Sequence, residues 1–515
     1  MIESEIRLAE KRKILKGKFD NFPFKYDIGA GHRVGITSPN LKFGSQKRGN
    51  MTKRHSFGGS LGFVLAAAGS AVGLGNIWRF PYLAAKDGGG LFLVIYIVLA
   101  LTFGFSLLTT EIAIGRRTRQ SPLTAYEHIR KGWKPLGIIS CLVPMLIMPY
   151  YCAIGGWVVK YFLVFLTGKG TEAAADGYFS AFIGGTKEPI LLMLIFLALC
   201  AFIIIRGVNQ GIESMSRILM PILFILVIII ALFSLTIRCE DPDGTVRTGL
   251  QGLYILLVPD LTGLTVKGFF SVVVDAMGQL FFSLSVAMGI MIAYGSYVSD
   301  DANLVKSVSQ IELFDTLIAI LAGVMIIPPV YCFMGREGMS SSGPGLMFIL
   351  LPKVFADMGT AGKFVGLLFF AMVLFAAVTS AVSIMEAIVS SLMDQFGFTR
   401  SKAAWTEFLI ALIAGIFVCL GYNVCYFELS LPNGSTAQIL DLLDYISNNI
   451  LMPLGAILTC ILIGWVVRPE YVIEEVTKNG EHFGRKQLLI LMIRYVAPVL
   501  LLILFLKSAG LLTVI

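Results

Sequence analysis

The sequence predicts an all-α polytopic membrane protein with eleven transmembrane helices. Of its 515 residues, 56% are hydrophobic and only 14% are charged, whereas about a quarter of the residues in soluble domains are charged. Apolar stretches of about 20 residues, each long enough to cross the hydrocarbon core of a bilayer, recur along the chain. Two of these stretches are interrupted by glycines and polar residues. The composition excludes an ordinary soluble protein, and the interruptions favour a site inside the membrane.

The predicted spans follow the apolar stretches. They lie at about 60–81, 91–114, 137–166, 189–206, 213–236, 268–295, 308–333, 363–392, 403–421, 436–467 and 487–513. Lys and Arg residues are concentrated in the connections after the second and tenth spans, and such residues mark the cytoplasmic side. We therefore expect a multi-pass protein of the cytoplasmic (plasma) membrane, with its N-terminus inside and its C-terminus outside.

Residues 1–50 differ from the rest of the chain. They hold eleven Lys and Arg residues against five acids, and the remainder holds 30 against 28. The formal charge of +8 therefore belongs mainly to this tail and gives no reason to expect nucleic-acid binding. The tail has no apolar core of the kind that a signal peptide requires. We expect it to be a disordered basic tail, or to lie upstream of a more natural start at Met51.

The first span contains the more unusual of the two interruptions. Small and polar residues follow one another there, at Gly69, Gly73, Gly75, Asn76 and Arg79. An unsatisfied polar group costs several kcal/mol in lipid, so irregular backbone persists only beside a cavity or packed protein. A continuous helix whose glycines permit close packing is the alternative.

The sixth span repeats this pattern at 278–289. The two unusual spans are five spans apart, and an odd offset inverts the second unit relative to the first. Glycine-interrupted segments at corresponding positions of two halves are the best sequence indication of a transporter binding site. We therefore expect helices 1 and 6 to be broken at mid-membrane.

Polar side chains in two later spans are further candidates. A carboxylate inside a membrane, such as Asp315 in the seventh span, needs a cation, a proton or an amide donor nearby, unless it lies at the interface. In the eighth span, Thr379 and Ser383 share one helix face, with Ser380 beside them. Their neutral oxygens suit a hard cation, although such hydroxyls often only bond the carbonyl one turn back.

Other intramembrane acids have two interpretations. Glu111 and Glu386 are either helix-packing anchors or site residues, and Glu111 has Arg116 as an alternative partner at the membrane edge.

Eight cysteines occur singly without a CxxC pair, so we read them as packing residues. A bridge between Cys239 and Cys425 stays open.

Missing motifs narrow the functional classes. All four histidines lie in the tail or in polar connections, so no intramembrane pair is available to ligate haem in a redox subunit. A GxxxxGK[ST] phosphate-binding loop does not occur, which argues against an ATP-driven pump confined to this chain.

Taken together, these motifs resemble the neurotransmitter:sodium symporter family, in particular its bacterial amino-acid transporters with eleven spans. The motifs are the runs from Gly73 to Pro81 and from Gln279 to Ser285, and the pair Thr379-Ser380. The resemblance covers nearly everything from Arg54 onward and implies a five-plus-five inverted repeat. The transporter domain would then be 51–515, with repeat one at about 60–236, repeat two at about 268–467 and an extra helix at about 487–513.

The resemblance also implies functional sites. A first sodium site would use Ala71, Asn76, Ser283 and Asp315 together with the carboxylate of the substrate. A second would use Gly69, Val72, Ala376, Thr379 and Ser380. The substrate pocket would use Ser70, Gly73, Gly75, Ile147, Tyr151, Phe282, Ser285, Met288, Ser380 and Ile384, with Tyr151 and Phe282 as an aromatic lid. The outer gate would pair Arg79 with Asp444, and the inner gate Arg54 with Asp394.

Three positions narrow the expected substrate and coupling. Amine carriers of this family have an aspartate where this chain has Gly73, so the substrate here should bring its own carboxylate. Met288 suits a large hydrophobic or aromatic side chain. Asp315 replaces a neutral Asn at a point beside which chloride-dependent relatives bind their anion, and its fixed charge predicts chloride-independent transport.

The resulting expectation is a sodium-coupled symporter, not an enzyme. It would import a neutral, hydrophobic or aromatic amino acid by alternating access. Its partners would be the amino acid, sodium ions and the lipid bilayer, with no nucleic acid and no cofactor besides the coupling ions. A proton-coupled amino-acid transporter and an amino-acid sensor that does not transport are the alternatives.

Overall fold

The computed structural model describes residues 56–240, 244–432 and 434–512. The expectation for residues 1–50 falls outside this part. Within it, eleven spans are found when one bent helix pair is counted as a single span. In chain order, spans 1 to 11 are Ser60–Ala71 with Gly75–Lys86, Gly90–Thr118, Lys134–Leu166, Glu188–Ile205, Val208–Leu235, Val266–Ser283, Leu304–Gly338, Gly359–Phe396, Arg400–Leu420, Ile439–Val466 and Lys486–Ser508. The predicted helical membrane fold and the number of spans are confirmed.

Span 1 is broken where its glycines lie. The helix Ser60–Ala71 ends at Val72, whose φ of −77° and ψ of 88° are not helical. The chain resumes as a π-helical turn, Gly75–Arg79, which leads into the helix Phe80–Lys86. The two halves are bent by 49°. The alternative of a continuous, tightly packed helix is therefore wrong for this span.

Span 6 is broken in the same manner. Its first helix ends at Ser283, and a second short helix, Ile290–Gly295, follows after a turn. Three residues of that turn have positive φ, namely Ser285 at 53°, Ala287 at 61° and Gly289 at 72°. Left-handed backbone is costly for residues other than glycine and persists only where its surroundings impose it. The second predicted break is thus present, with strained backbone at its centre.

Glycines bring span 2 and the second half of span 6 into direct contact. A Cβ at Gly115 would lie 2.1 Å from the carbonyl oxygen of Ile292, and a Cβ at Gly295 would lie 2.4 Å from that of Ile112. Both neighbours are backbone atoms, which cannot move aside as a flexible side chain can. This contact holds the broken half of span 6 against a continuous helix.

Replacing Gly115 with alanine is expected to destabilise the protein. Overpacking of a tight core contact costs about 1–3 kcal/mol, and here the obstacle is main chain. The melting temperature of the purified variant in detergent should fall. Gly345→Ala is the control, because nothing lies within 4 Å of a Cβ at Gly345. Equal melting temperatures for the two variants would contradict the packing account.

The connections between spans carry short elements. Strands Arg238–Glu240 and Val246–Thr248 pair antiparallel, as do Leu429–Ser430 and Thr436–Ala437. Short α-helices lie at Pro122–Ile129, Tyr178–Ile183, Gly249–Leu257, Gly343–Gly345, Leu351–Asp357 and Glu470–Val476, and a 3₁₀ turn at Glu172–Ala174. Cys239 and Cys425 in these connections are free thiols, so the bridge left open above does not form.

Arg116 is buried at the end of span 2 and pairs across the fold. Its Nε lies 2.6 Å from the Glu475 carboxylate, and its Nη1 donates to the carbonyl of Ala302 at 2.7 Å. Glu111 instead accepts the backbone N–H of Ala287 at 2.6 Å. The alternative pairing of Glu111 with Arg116 is therefore wrong. Glu111 acts on the broken turn of span 6.

Candidate functional site

Residues of both helix breaks line a small cavity of about 30 Å³. It is lined by Ser70, Ala71, Gly73, Leu74, Gly75, Asn76, Ile147, Tyr151, Phe282, Ser283, Ser285, Met288, Ser380 and Ile384. All ten residues predicted for the substrate pocket are among them. Spans 1, 3, 6 and 8 therefore bring together residues that are up to 314 positions apart, from Ser70 to Ile384.

One end of the cavity is polar and has space only because residue 73 is glycine. A Cβ at Gly73 would lie 2.9 Å from the Ser380 hydroxyl oxygen and 3.4 Å from that of Tyr151. The Tyr151 hydroxyl is buried without a well-formed hydrogen bond to any residue that the structure describes. A buried polar atom in this condition is costly unless a ligand or water satisfies it. The hydroxyl is thus available to a bound solute.

Another part of the cavity lining is apolar. Ile147 of span 3, Met288 of span 6 and Ile384 of span 8 line the cavity and are each less than 5% exposed. Phe282 lines this cavity and also a larger one of about 600 Å³, whose lining includes Arg79 and Lys507. Phe282 is therefore common to the linings of both cavities.

The predicted first sodium site is centred on Asp315, which is completely buried. Its Oδ1 accepts hydrogen bonds from Asn76 Nδ2 at 2.8 Å and from the Ser283 hydroxyl at 2.6 Å. Its Oδ2 accepts a third from the Tyr96 hydroxyl at 3.3 Å. A buried carboxylate is tolerated only when it is paired and hydrogen-bonded. Asn76, Ser283 and Asp315 thus form one polar cluster, and Ala71 lines the adjoining cavity.

The predicted second sodium site lies where span 8 meets the end of the first helix of span 1. The Ser380 hydroxyl is 3.4 Å from the carbonyl oxygen of Gly69 and 3.5 Å from that of Val72. Thr379 Oγ1 lies 3.1 Å from the carbonyl of Ala376. Carbonyls released by a helix break, together with hydroxyls, are the neutral oxygen ligands that suit a hard cation. All five predicted residues are brought together.

The Thr379 hydroxyl is expected to matter for sodium rather than for folding. In Thr379→Val the shape is nearly unchanged, but one oxygen is lost beside the carbonyls of Phe375 and Ala376. Half-saturation of uptake by sodium should require roughly tenfold more sodium, which corresponds to about 1.4 kcal/mol. The control is Ser390→Ala, which removes another buried hydroxyl eleven residues further along the same helix, where it bonds the carbonyl of Ala387. An unchanged sodium requirement for Thr379→Val would remove this residue from the site.

Comparison with known proteins identifies the group to which this chain belongs. The model of the sodium:neurotransmitter symporter family matches residues 54–173 and 181–513. The chain belongs to this family. Its members are transporters that use sodium, and the recognition made from the sequence motifs is confirmed.

Individual members of the symporter family are similar to this chain over most of its length. The chain is 34% identical over 462 residues to YhdH, an uncharacterized sodium-dependent transporter of Bacillus subtilis, which covers 88% of this chain and 97% of that protein. It is 26% identical over 483 residues to a sodium- and chloride-dependent taurine transporter of Homo sapiens, and the match covers 83% of this chain and 74% of that protein. Its fold matches the crystal structure of MhsT in complex with L-phenylalanine, with a TM-score of 0.77 and 36% identity. The match covers 88% of this chain and 100% of MhsT.

Arg79 and Asp444, the predicted outer gate pair, lie close to each other but do not form a direct ion pair among the described residues. Arg79 lines the larger cavity, and Asp444 lies near enough to interact with it electrostatically. In the described part of the chain no ion pair within 4 Å links them. The Asp444 carboxylate instead accepts hydrogen bonds from Tyr150 at 3.0 Å and Asn448 at 2.6 Å. An outer gate formed by this pair stays a prediction.

Of the predicted inner gate pair, only Asp394 lies in the described part of the chain. Arg54 lies outside the described residues, so its pairing with Asp394 stays a prediction. The Asp394 carboxylate accepts the backbone N–H of Ser121 at 2.6 Å. Glu386, another acid on span 8, accepts a hydrogen bond from Tyr297 at 2.7 Å and pairs with Arg400. Glu386 therefore anchors helices rather than facing the central cavity.

Sequence reasoning missed several contributors to the site. Leu74 lines the cavity through its position in the break. Tyr96 donates to Asp315 from 219 positions away, and Gln279 donates to the carbonyl of Gly75 at 3.1 Å. Gln279 begins the motif from Gln279 to Ser285, so the sequence did contain a signal for this residue. For Tyr96, an aromatic in an apolar span, no local signal distinguishes a site residue from ordinary packing.

Proposed function

We propose that this protein imports a neutral, hydrophobic or aromatic amino acid together with sodium, by alternating access and without chloride. The single observation that carries the proposal is the cavity between the two helix breaks. It combines a glycine at position 73, a buried tyrosine hydroxyl without a well-formed hydrogen bond among the described residues, and an adjoining carboxylate cluster. Membership of a sodium-coupled family supplies the coupling ion.

The polar end of the cavity supports recognition of a carboxylate. The cavity lining that contains Gly73 and the Tyr151 and Ser380 hydroxyls includes no acidic residue, and the space that a side chain at Gly73 would fill is left to the ligand. Hydrogen bonds to an ionised acceptor are roughly twice as strong as neutral ones. A substrate that brings its own carboxylate would satisfy the Tyr151 hydroxyl and add a ligand to the first sodium site.

The apolar end of the cavity supports a hydrophobic side chain. Ile147, Met288 and Ile384 offer no charge or hydrogen-bond donor there, and a polar side chain would lose its hydration without compensation. The thioether of Met288 adapts to large or aromatic groups. The related MhsT structure contains L-phenylalanine, which agrees with this class of substrate.

Asp315 is the basis for proposing chloride independence. It places a fixed negative charge 2.8 Å from Asn76 and 2.6 Å from Ser283, where a monovalent cation would bind. A permanent carboxylate makes a separate anion unnecessary for charge balance at this point. When sodium leaves, the carboxylate retains three hydrogen-bond donors.

The proposed orientation places the Lys86 end of span 1 outside and the Ser60 end in the cytoplasm of a cytoplasmic membrane. It follows from the basic connections after spans 2 and 10. The cavity of about 600 Å³ would then be the external vestibule, and Phe282 the lid beneath it.

The experiment is uptake by proteoliposomes of twenty labelled amino acids, one at a time. An inward sodium gradient should drive accumulation of hydrophobic or aromatic amino acids and leave acidic and basic ones excluded. Replacing chloride with gluconate should not lower the rate. Two arms contradict the proposal: accumulation driven by a pH gradient in sodium-free buffer, and binding of an amino acid without any accumulation.

A further inference from the structure

Arg494 is a charged residue within span 11, far from the cavity between the helix breaks. It is the ninth residue of the span Lys486–Ser508, about 12 Å from the first one. The nearby side chains Leu491, Tyr495 and Val499 are 49%, 52% and 58% exposed. This surface is therefore one that meets lipid. A charge at such a depth is costly unless it finds a partner or reaches the polar interface.

The protein uses only part of this guanidinium. Arg494 Nε donates to the carbonyl of Gly464 in span 10 at 2.9 Å. In return, the indole N–H of Trp465 donates to the carbonyl of Arg494 at 3.2 Å. Both segments are π-helical turns, Leu462–Val466 and Met492–Val496, and such turns are frequent at functional sites. The two reciprocal bonds fix the position of the arginine between spans 10 and 11.

The remaining donors of Arg494 have no partner in the described part of the chain. A guanidinium carries five N–H donors, and only the one on Nε is used. The buried arginines of this protein are treated differently, since Arg116 pairs with Glu475 and Arg400 pairs with Glu386. The four N–H groups on Nη1 and Nη2 of Arg494 are thus available to an acceptor from outside the protein.

A second cation lies at the same end of these two spans. Arg468 follows Trp465 by three residues, just beyond the end of span 10, and is exposed. Its backbone has a φ of 71°, which a residue other than glycine keeps only where its surroundings impose it. The acid next to it in the chain, Glu470, forms no ion pair within 4 Å with either arginine of this described region. The positive charge of Arg468 and Arg494 is therefore not neutralised there by the protein.

Two exposed aromatic residues show what surrounds this charge. Trp465 is 57% exposed and Tyr495 is 52% exposed, and their rings pack edge-on with centroids 5.5 Å apart. Exposed Trp and Tyr are typical of the boundary between hydrocarbon and headgroups. A soluble anion would have to leave water to reach Arg494 beside these rings. The phosphate of a lipid is already at that boundary.

We propose that Arg494, together with Arg468, binds the phosphate of an anionic phospholipid at the ends of spans 10 and 11. The planar fork of a guanidinium matches the geometry of phosphate oxygens. Basic residues near a membrane surface favour anionic over zwitterionic lipids. With the proposed orientation, the lipid belongs to the cytoplasmic leaflet. The site is independent of the proposed substrate and coupling ion.

Trp465 is a built-in reporter for this site. The full chain is reconstituted in phosphatidylcholine vesicles that contain a small fraction of brominated phosphatidylglycerol or of brominated phosphatidylcholine, and bromine quenches tryptophan fluorescence on contact. The chain has five tryptophans, so the signal of Trp465 is the difference between the unmodified protein and Trp465→Phe. Half-maximal quenching of Trp465 should need roughly fivefold less of the anionic lipid than of the zwitterionic one. Equal quenching by the two lipids overturns the proposal.

Substitutions assign the preference to the named arginines. Arg494→Gln should remove most of the preference for the anionic lipid. Arg468→Gln should lower it roughly twofold, and it disturbs no side-chain contact in the described part of the chain. Arg130→Gln is the control, because it removes an equal charge from an exposed position after span 2. If Arg494→Gln and Arg130→Gln behave alike, the preference reflects general surface charge and there is no site.

A competition experiment separates a lipid from a soluble anion. An excess of inorganic phosphate, added at constant ionic strength, should leave the quenching by brominated phosphatidylglycerol unchanged. Relief of quenching by inorganic phosphate would assign the site to a soluble anion. Absence of quenching by either lipid would show that a second copy of the chain covers this surface. Either result overturns the proposed lipid site.

Discussion

Replacing Gly73 with aspartate is expected to reduce uptake of a neutral amino acid by roughly a hundredfold, which corresponds to about 2.7 kcal/mol. The first added atom alone would lie 2.9 Å from the Ser380 hydroxyl oxygen. The new carboxylate would occupy the space proposed for the substrate's own carboxylate and would repel it. Measured as uptake by proteoliposomes, this should be among the largest effects of any single substitution.

Gly73→Asn is the matched control for this prediction. It has the shape of aspartate without the charge, so it separates loss of space from repulsion. A decarboxylated amine analogue should inhibit the aspartate variant better than the asparagine variant, because only the former offers a negative partner for the amine. Undiminished amino-acid uptake by Gly73→Asp would show that the carboxylate is not bound beside Gly73.

Replacing Asp315 with asparagine should lower uptake in chloride-free buffer at least about tenfold, or about 1.4 kcal/mol. The shape is preserved, but the fixed charge beside Asn76 and Ser283 is lost. A buried cation without a compensating anion is strongly disfavoured. Adding chloride should restore part of the rate if an anion can occupy the vacated position.

The control for Asp315→Asn is Asp176→Asn, which neutralises a carboxylate that is 91% exposed. This control should transport as the unmodified protein does, with or without chloride. Full activity of Asp315→Asn in gluconate buffer would contradict the proposed reason for chloride independence and remove Asp315 from the coupling mechanism.

The helices and their interruptions could be predicted because their signals are local. Apolar stretches located all eleven spans, and the glycines around Val72 and Gly289 located both breaks. The residues expected for the substrate pocket line one cavity. They could be chosen because a specific motif, from Gly73 to Pro81, indicated a known family, and their role in binding a substrate stays a prediction. Residue types and spacing alone indicated the spans, the broken helix pair and the polar candidates Asp315, Thr379 and Ser380, but not the pocket residues.

Contacts between distant segments could not be predicted. Arg116 pairs with Glu475, which is 359 residues away, and not with Glu111, which is five residues away. The carboxylate of Glu213 in span 5 accepts the N–H of Gly58 and lies against Gly62 of span 1, more than 150 residues away. Each of these pairings depends on how whole spans pack, and neither partner is distinguished by its own neighbours in the chain.

The central claim is that sodium drives an amino acid through the cavity between the two breaks. The most direct measurement is accumulation of labelled phenylalanine in proteoliposomes under an inward sodium gradient, before and after addition of a sodium ionophore. The account predicts an internal concentration above the external one, which collapses when the ionophore dissipates the gradient. Binding of phenylalanine without accumulation, or accumulation that persists after the sodium gradient is gone, would contradict it.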